Sequence, residues 1–188
     1  MIRYGWLGGG LIAVLALMPF AASAYDAPDE QISNMLTLPL AASNHDFHAV
    51  LIMLGGGTSV DTEGRDGRAA LSYAVANGDM QIVDLLLKHS ADVDHRDDFG
   101  DTALHWAALA GQTEMVKRLL AAKATIDAQN KEGTTPLMLA INNNRREVVR
   151  LLLSAGASTT IEDYTGHDAM SYARRNPQML PLLQASAH

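Results

Sequence analysis

The feature that most constrains this chain is a period of 33 residues. Gly67, Gly100, Gly133 and Gly166 stand 33 apart, as do Leu71, Leu104, Leu137 and Met170, and as do Ala74, Ala107, Ala140 and Ala173. Registers that agree in several residue types at once mark a stacked array, whose units cannot bury their apolar faces alone and lean on their neighbours. In the best-formed copy, Asp94 to Asp127, a turn centred on Gly100 leads into Thr102-Ala103-Leu104-His105 and a short apolar helix that breaks at Gly111. A second helix follows, with Met115, Val116, Leu119 and Leu120 along one face, the stripe expected of a helix buried on one side.

The other copies vary this theme. The first, 37–61, keeps Leu38 and Ala41 in register, with Val50, Met53 and Leu54 as its second stripe. Gly55-Gly56-Gly57 ends that helix; no strand precedes these glycines and no Lys-Ser/Thr follows, so they do not read as a phosphate loop. His45 takes the place of Gly78 and Gly111, where a positive φ is expected. The second copy, 62–94, carries Leu71, Ala74, Ile82, Val83, Leu86 and Leu87, but Ala69-Ala70-Leu71-Ser72 offers no capping hydroxyl. The third copy runs over 95–127. In the fourth, 128–160, Thr135 should cap the first helix and Pro136 open it. Asn144 replaces the breaker glycine, and Val148, Val149, Leu152 and Leu153 form the stripe before Gly156. The fifth, 161–188, begins in register and then departs, with Pro177 at the breaker and Pro181 at a buried position. A shorter, more polar terminal cap suits an array whose outer face meets water.

Residues 1–24 read as a cleavable secretory signal peptide: Arg3, the apolar run Leu11 to Met18, Pro19, and Ala22-Ser23-Ala24 as the cleavage site. An uncleaved anchor is the alternative, because Gly5 to Ala24 is uncharged and nearly long enough to span a bilayer. Residues 25–36 read as a short N-terminal capping segment with Ile32, Met35 and Leu36 in helical spacing. Without the leader, which holds Arg3 and no acid, 13 Lys and Arg face 21 Asp and Glu, a net charge of −8. An acidic chain with no basic cluster points away from nucleic acid and anionic lipid. The chain has no cysteine, so an exported protein of this size must rely on its apolar core. Export and the lack of cysteine together point to a periplasmic location.

The period, with Gly-Asp-Thr-Ala-Leu-His at 100–105 and Gly-Thr-Thr-Pro-Leu at 133–137, resembles the ankyrin repeat from about Thr37 to Leu183. The resemblance implies an all-α ankyrin-repeat solenoid of about four to five stacked helix-turn-helix units with β-turn or hairpin connections. It also implies a non-catalytic, protein-binding role without cofactors, exercised through a concave strip of turn tips and inner helices. Position by position, that strip comprises Glu63, Arg65, Asp66 and Arg68 on the second unit. Arg96, Asp98, Phe99, Asp101, Trp106 and Leu109 follow on the third, Gln129, Lys131, Glu132, Asn142 and Asn143 on the fourth, and Glu162, Tyr164 and His167 on the fifth. Exposed aromatics beside Arg suit binding hot spots. Phe99 and Trp106 have packing readings as well, against a neighbouring turn and between helices. In layout, the chain also resembles small exported bacterial ankyrin proteins, some of them associated with catalase and oxidative stress.

Other chemistry finds little footing. Asp92, Asp94, Asp97, Asp98 and Asp101 lack the central Gly and the twelfth-position Glu of a calcium loop, and read as solvated turn acids. The histidines show no H-E-x-x-H, and no Gly-x-Ser-x-Gly is present. His105 falls at the family's scaffold histidine, where it should hydrogen-bond neighbouring turns. The expected function is a periplasmic adaptor or protective factor, monomeric, whose partner is another protein and not nucleic acid or, after cleavage, a membrane. An immunity or inhibitor protein, whose acidic strip plugs a basic toxin or hydrolase, is the alternative.

Overall fold

The computed structural model describes residues 37–185, so the expected leader and the 25–36 capping segment lie outside the described residues. Within them the chain forms five pairs of helices. These are α1 (Leu38–Ser43) with α2 (Phe47–Gly55), α3 (Ala70–Asn77) with α4 (Met80–Lys88), α5 (Ala103–Ala110) with α6 (Thr113–Ala121), α7 (Pro136–Asn142) with α8 (Arg146–Ser154), and α9 (Ala169–Arg175) with α10 (Leu180–Ala185). First helices pack on first helices of the next pair, and second on second for α2 with α4, α6 with α8 and α8 with α10, giving two layers; the Arg118–Asp84 ion pair joins α4 to α6. No strand occurs among the described residues; Glu63 and Ala69 form one isolated antiparallel bridge.

Local chemistry sets the helix ends. Thr135 caps α7 through its hydroxyl, with Pro136 at the first helical position, where no N–H is needed. Asp168 does the same for α9, whereas Ala69 opens α3 with no side-chain cap. The predicted breakers of the first four units have positive φ, including the two that are not glycine, His45 at 61° and Asn144 at 58°, whereas Pro177 in the fifth does not. Side chains of the next unit then cover the carbonyls left open at the ends of the first helices. Asn77 donates to the Ser43 carbonyl at 3.0 Å, Arg145 Nε to that of Leu109 at 2.9 Å, and Asn176 to that of Ile141 at 3.1 Å.

The core follows the register. Leu38, Leu71, Leu104 and Leu137 are buried along the first layer, and Val50, Val83, Val116 and Val149 along the second. Removing one such leucine side chain costs about 2–5 kcal/mol, so the stack is held by many modest terms. Four expectations need correction. Leu87, Leu120 and Leu153 are only half-buried, because they sit on the flank of each second helix, not against its neighbour. Met170, at the buried leucine position, is half-exposed on the last unit. In that unit α10 slips out of register: Met179 and Leu183 are buried, while Pro181 is exposed. On the first unit Met53 is half-exposed.

A second breaker register was expected only at its two glycines, Gly57 and Gly156, and includes Ser90 and Lys123 as well. Gly57, Ser90, Lys123 and Gly156 end the second helices with φ of 86°, 64°, 73° and 92°. A side chain in this left-handed region costs about 1–2 kcal/mol. Lys123→Gly should therefore raise stability by roughly 1 kcal/mol, measured by urea unfolding. Gly133→Ala should lower it, because φ is +78° and the new Cβ would lie 2.7 Å from the Tyr164 nitrogen. Destabilisation by Lys123→Gly would contradict this account of the helix ends.

Candidate functional site

The turns between units form a hydrogen-bonded ladder. The Asp98 N–H donates to the Asp66 carbonyl at 2.9 Å, Lys131 N–H to Phe99 at 2.9 Å, and Tyr164 N–H to Glu132 at 3.0 Å. The turns of the third, fourth and fifth units are also closed from within by one oxygen that takes two backbone N–H groups. Asp97 Oδ1 accepts from Phe99 and Asp101, both at 2.9 Å. Asn130 Oδ1 accepts from Glu132 at 3.0 Å and Thr134 at 2.9 Å. Asp163 Oδ1 accepts from Thr165 at 2.8 Å and His167 at 3.0 Å.

The second oxygen of each turn acid fixes an aromatic on the inner helix. Trp106 Nε1 donates to Asp97 Oδ2 at 3.1 Å, and the Tyr172 hydroxyl to Asp163 Oδ2 at 2.8 Å. Where the turn carries the neutral Asn130, the equivalent inner-helix residue is Leu139, which has no hydrogen to give. In the second unit Gly64 holds the turn position, and the Tyr73 hydroxyl reaches Asp66 Oδ1 at 2.6 Å. A donor therefore faces each turn carboxylate, as a poorly solvated charge requires. Arg68 completes the arrangement: its guanidinium lies 3.7 Å over the Trp106 ring and 5.4 Å from that of Tyr73, with Nε 3.0 Å from Asp66 Oδ2.

Asp97 thus corrects one expectation: it is no solvated turn acid but is 5% exposed. Burial pushes the Asp163 carboxyl up, but hydrogen bonds from the His167 and Thr165 backbone, the Thr165 hydroxyl and Tyr172 outweigh it and hold it well below the usual carboxylate range. Burial lowers the pKa of His105, opposed by Asp101 and the Thr134 carbonyl. Its Nε2 lies 3.0 Å from that carbonyl, which can only accept, so the ring proton is on Nε2. Nδ1 accepts from the Thr102 N–H at 3.1 Å. In the fourth unit Met138 takes this place, its sulfur accepting from the Thr135 N–H at 3.4 Å.

The expected strip residues divide into two groups. Arg65, Asp98, Phe99, Lys131, Glu132 and Tyr164 are exposed at turn tips, and Asn142 is exposed at the end of α7. Glu63 and Glu162 are exposed as well, and the others are tied to the scaffold. Arg96 bridges turns by donating to the Gln129 carbonyl at 2.6 Å, and Gln129 does the same to Glu162 at 3.0 Å. Asp101 accepts from Asn130 at 2.8 Å, and Asn143 donates to the Leu139 carbonyl at 2.9 Å. Asp66, Arg68 and Trp106 form the stack just described, while Leu109 and His167 are half-buried. Acids and bases interleave along the strip: Glu63, Asp66, Asp98, Asp101, Glu132 and Glu162 alternate with Arg65, Arg68, Arg96 and Lys131. Sequence reasoning missed Tyr73, Leu139 and Tyr172, which continue the Trp106 column at the same period of 33 and line the inner helices half-buried. Among the described residues no three His, Asp or Glu side chains are placed to hold a metal ion, and no helix is long and apolar enough to cross a membrane.

A family model described as ankyrin repeats, three copies, matches residues 38–131 and 114–186. The chain belongs to the ankyrin-repeat family. No curated protein matches it. In this ankyrin array the turn acids are structural groups, which can be tested directly. Asp97→Ala removes the acceptor for two backbone amides and Trp106, and should cost about 3–5 kcal/mol in urea unfolding. Asp97→Asn, which keeps the oxygen as Asn130 does, should cost distinctly less. Equal losses would mean that the charge, not the turn geometry, is what matters.

Proposed function

We propose that this ankyrin-repeat protein is a non-catalytic binding module that grips another protein along its turn tips and inner helices. Phe99 carries this reading. Its ring is 57% exposed, yet its backbone is held by Asp97 on one side and Lys131 on the other. A large apolar side chain on a rigid rung costs little entropy to bind against. Tyr164, at 72% exposed, offers the same on the last rung. Leu109 and Leu139 supply half-buried apolar floor beside Trp106. Such a surface, aromatic anchors among mixed charges, suits a specific protein partner better than a polyanion.

The same reading places the module in the periplasm as an adaptor or protective factor, supported by the signal-like pattern of residues 1–24 and the absence of cysteine. A photo-crosslinking residue at position 99, and another at Glu114 on the opposite layer, test partner and place together. Position 99 should give a discrete adduct in a periplasmic extract, position 114 none, and the adduct's chain should begin at Tyr25. Equal labelling from both positions would remove the strip reading. A chain beginning at Met1 would remove export.

A further inference from the structure

Among the described residues the turn ladder has an open end. Over Gly67, Gly100 and Gly133 the following turn closes so tightly that an added Cβ would meet Asp98, Lys131 and Tyr164 backbone nitrogens at 2.9, 2.9 and 2.7 Å. Over Gly166, with φ +79°, it would meet nothing within 4 Å. By register the Thr165 carbonyl is the counterpart of the Asp66, Phe99 and Glu132 carbonyls, each of which takes the N–H of the next turn. Thr165 has no such donor among the described residues.

An arginine is held ready beside this edge. The Thr165 hydroxyl donates to Asp163 Oδ1 at 2.7 Å, so the His167 Nδ1–H donates to the Thr165 oxygen at 2.6 Å. That tautomer leaves His167 Nε2 to accept from Arg175 Nη2 at 2.9 Å. Arg175 also lies 5.7 Å over the Tyr172 ring, which meets His167 edge-on. Among the described residues no carboxylate comes within ion-pair distance of it. Two acids of this unit are already used, Asp163 inside the turn and Asp168 capping Ser171, which leaves Glu162 in water. Arg174 adds a second base where Val75, Ala108 and Ile141 are buried in earlier units.

We propose that this edge docks an extended acidic segment of a partner protein. The segment's backbone N–H donates to the Thr165 carbonyl and so adds a rung to the ladder, as strands add to an open edge. Its carboxylate pairs with the N–H groups that Arg175 turns to solvent, in the fork geometry that guanidinium and carboxylate share. The small Gly166 lets the backbone approach closely. The inference rests on the reading of the protein as a binding module but uses a surface apart from Phe99.

The probe is a capped peptide of about ten residues alternating Val and Glu, with Gln and Lys versions as controls. It is titrated into the isotope-labelled chain and followed by amide shifts. The Glu peptide should move the Tyr164, Thr165 and Gly166 amides, and Arg175→Gln should weaken it about tenfold, one step of roughly 1.4 kcal/mol. Arg150→Gln, which removes an equal charge from α8, should change nothing. Shifts elsewhere only, unchanged binding in Arg175→Gln, or equal binding of the Lys peptide would overturn the proposal. Failure of crosslinking at position 99 with the Glu peptide still bound would remove the strip reading and leave this edge standing.

Discussion

A single buried oxygen in each of three successive turns organises the molecule. Asp97, Asn130 and Asp163 each gather two backbone amides of their own turn, and only a turn so closed can present its next amide to the preceding carbonyl. The ladder thus follows from the acids rather than from strand pairing, and it fixes how far apart successive units stand. A carboxylate so buried would be costly alone. It is tolerated because Trp106 and Tyr172 reach back to it from the inner helices. Turn and helix are locked by the same group, so the rungs are stiff where a partner would meet them.

The array separates scaffold from surface more sharply than residue type suggests. Charged side chains do much of the scaffolding: Arg96 and Lys131 tie turn to turn through carbonyls, and Arg145 closes the end of the preceding inner helix. Apolar side chains, by contrast, include some that serve no visible packing role, with Phe99 as the clearest. Charge on this surface therefore says little about binding, and exposure on a rigid rung says more.

Much of this was legible in the sequence. The period of 33 placed the leucines and alanines of the core, and the breaker positions His45 and Asn144 were correctly expected at positive φ. The cap at Thr135 and the missing cap at Ala69 followed from side-chain chemistry alone. What stayed hidden depended on neighbours. Ser90 and Lys123 look like ordinary helix-end residues, and only the fold forces them to positive φ. Asp97 lies among other acids in a run that reads as solvated, and its burial comes from Trp106 and Arg68 closing over it. The slip of α10 was similarly invisible, since Met179 replaces in packing what Pro181 occupies in register.

The central claim is that the turns are part of the folded stack and not loops hung upon it. Amide hydrogen exchange of Asp98, Lys131 and Tyr164 tests it most directly. These three N–H groups should exchange as slowly as those of Leu104 and Leu137 in the buried helices, opening only when the units come apart. Exchange at the rate of an open loop, with the helices still protected, would contradict it.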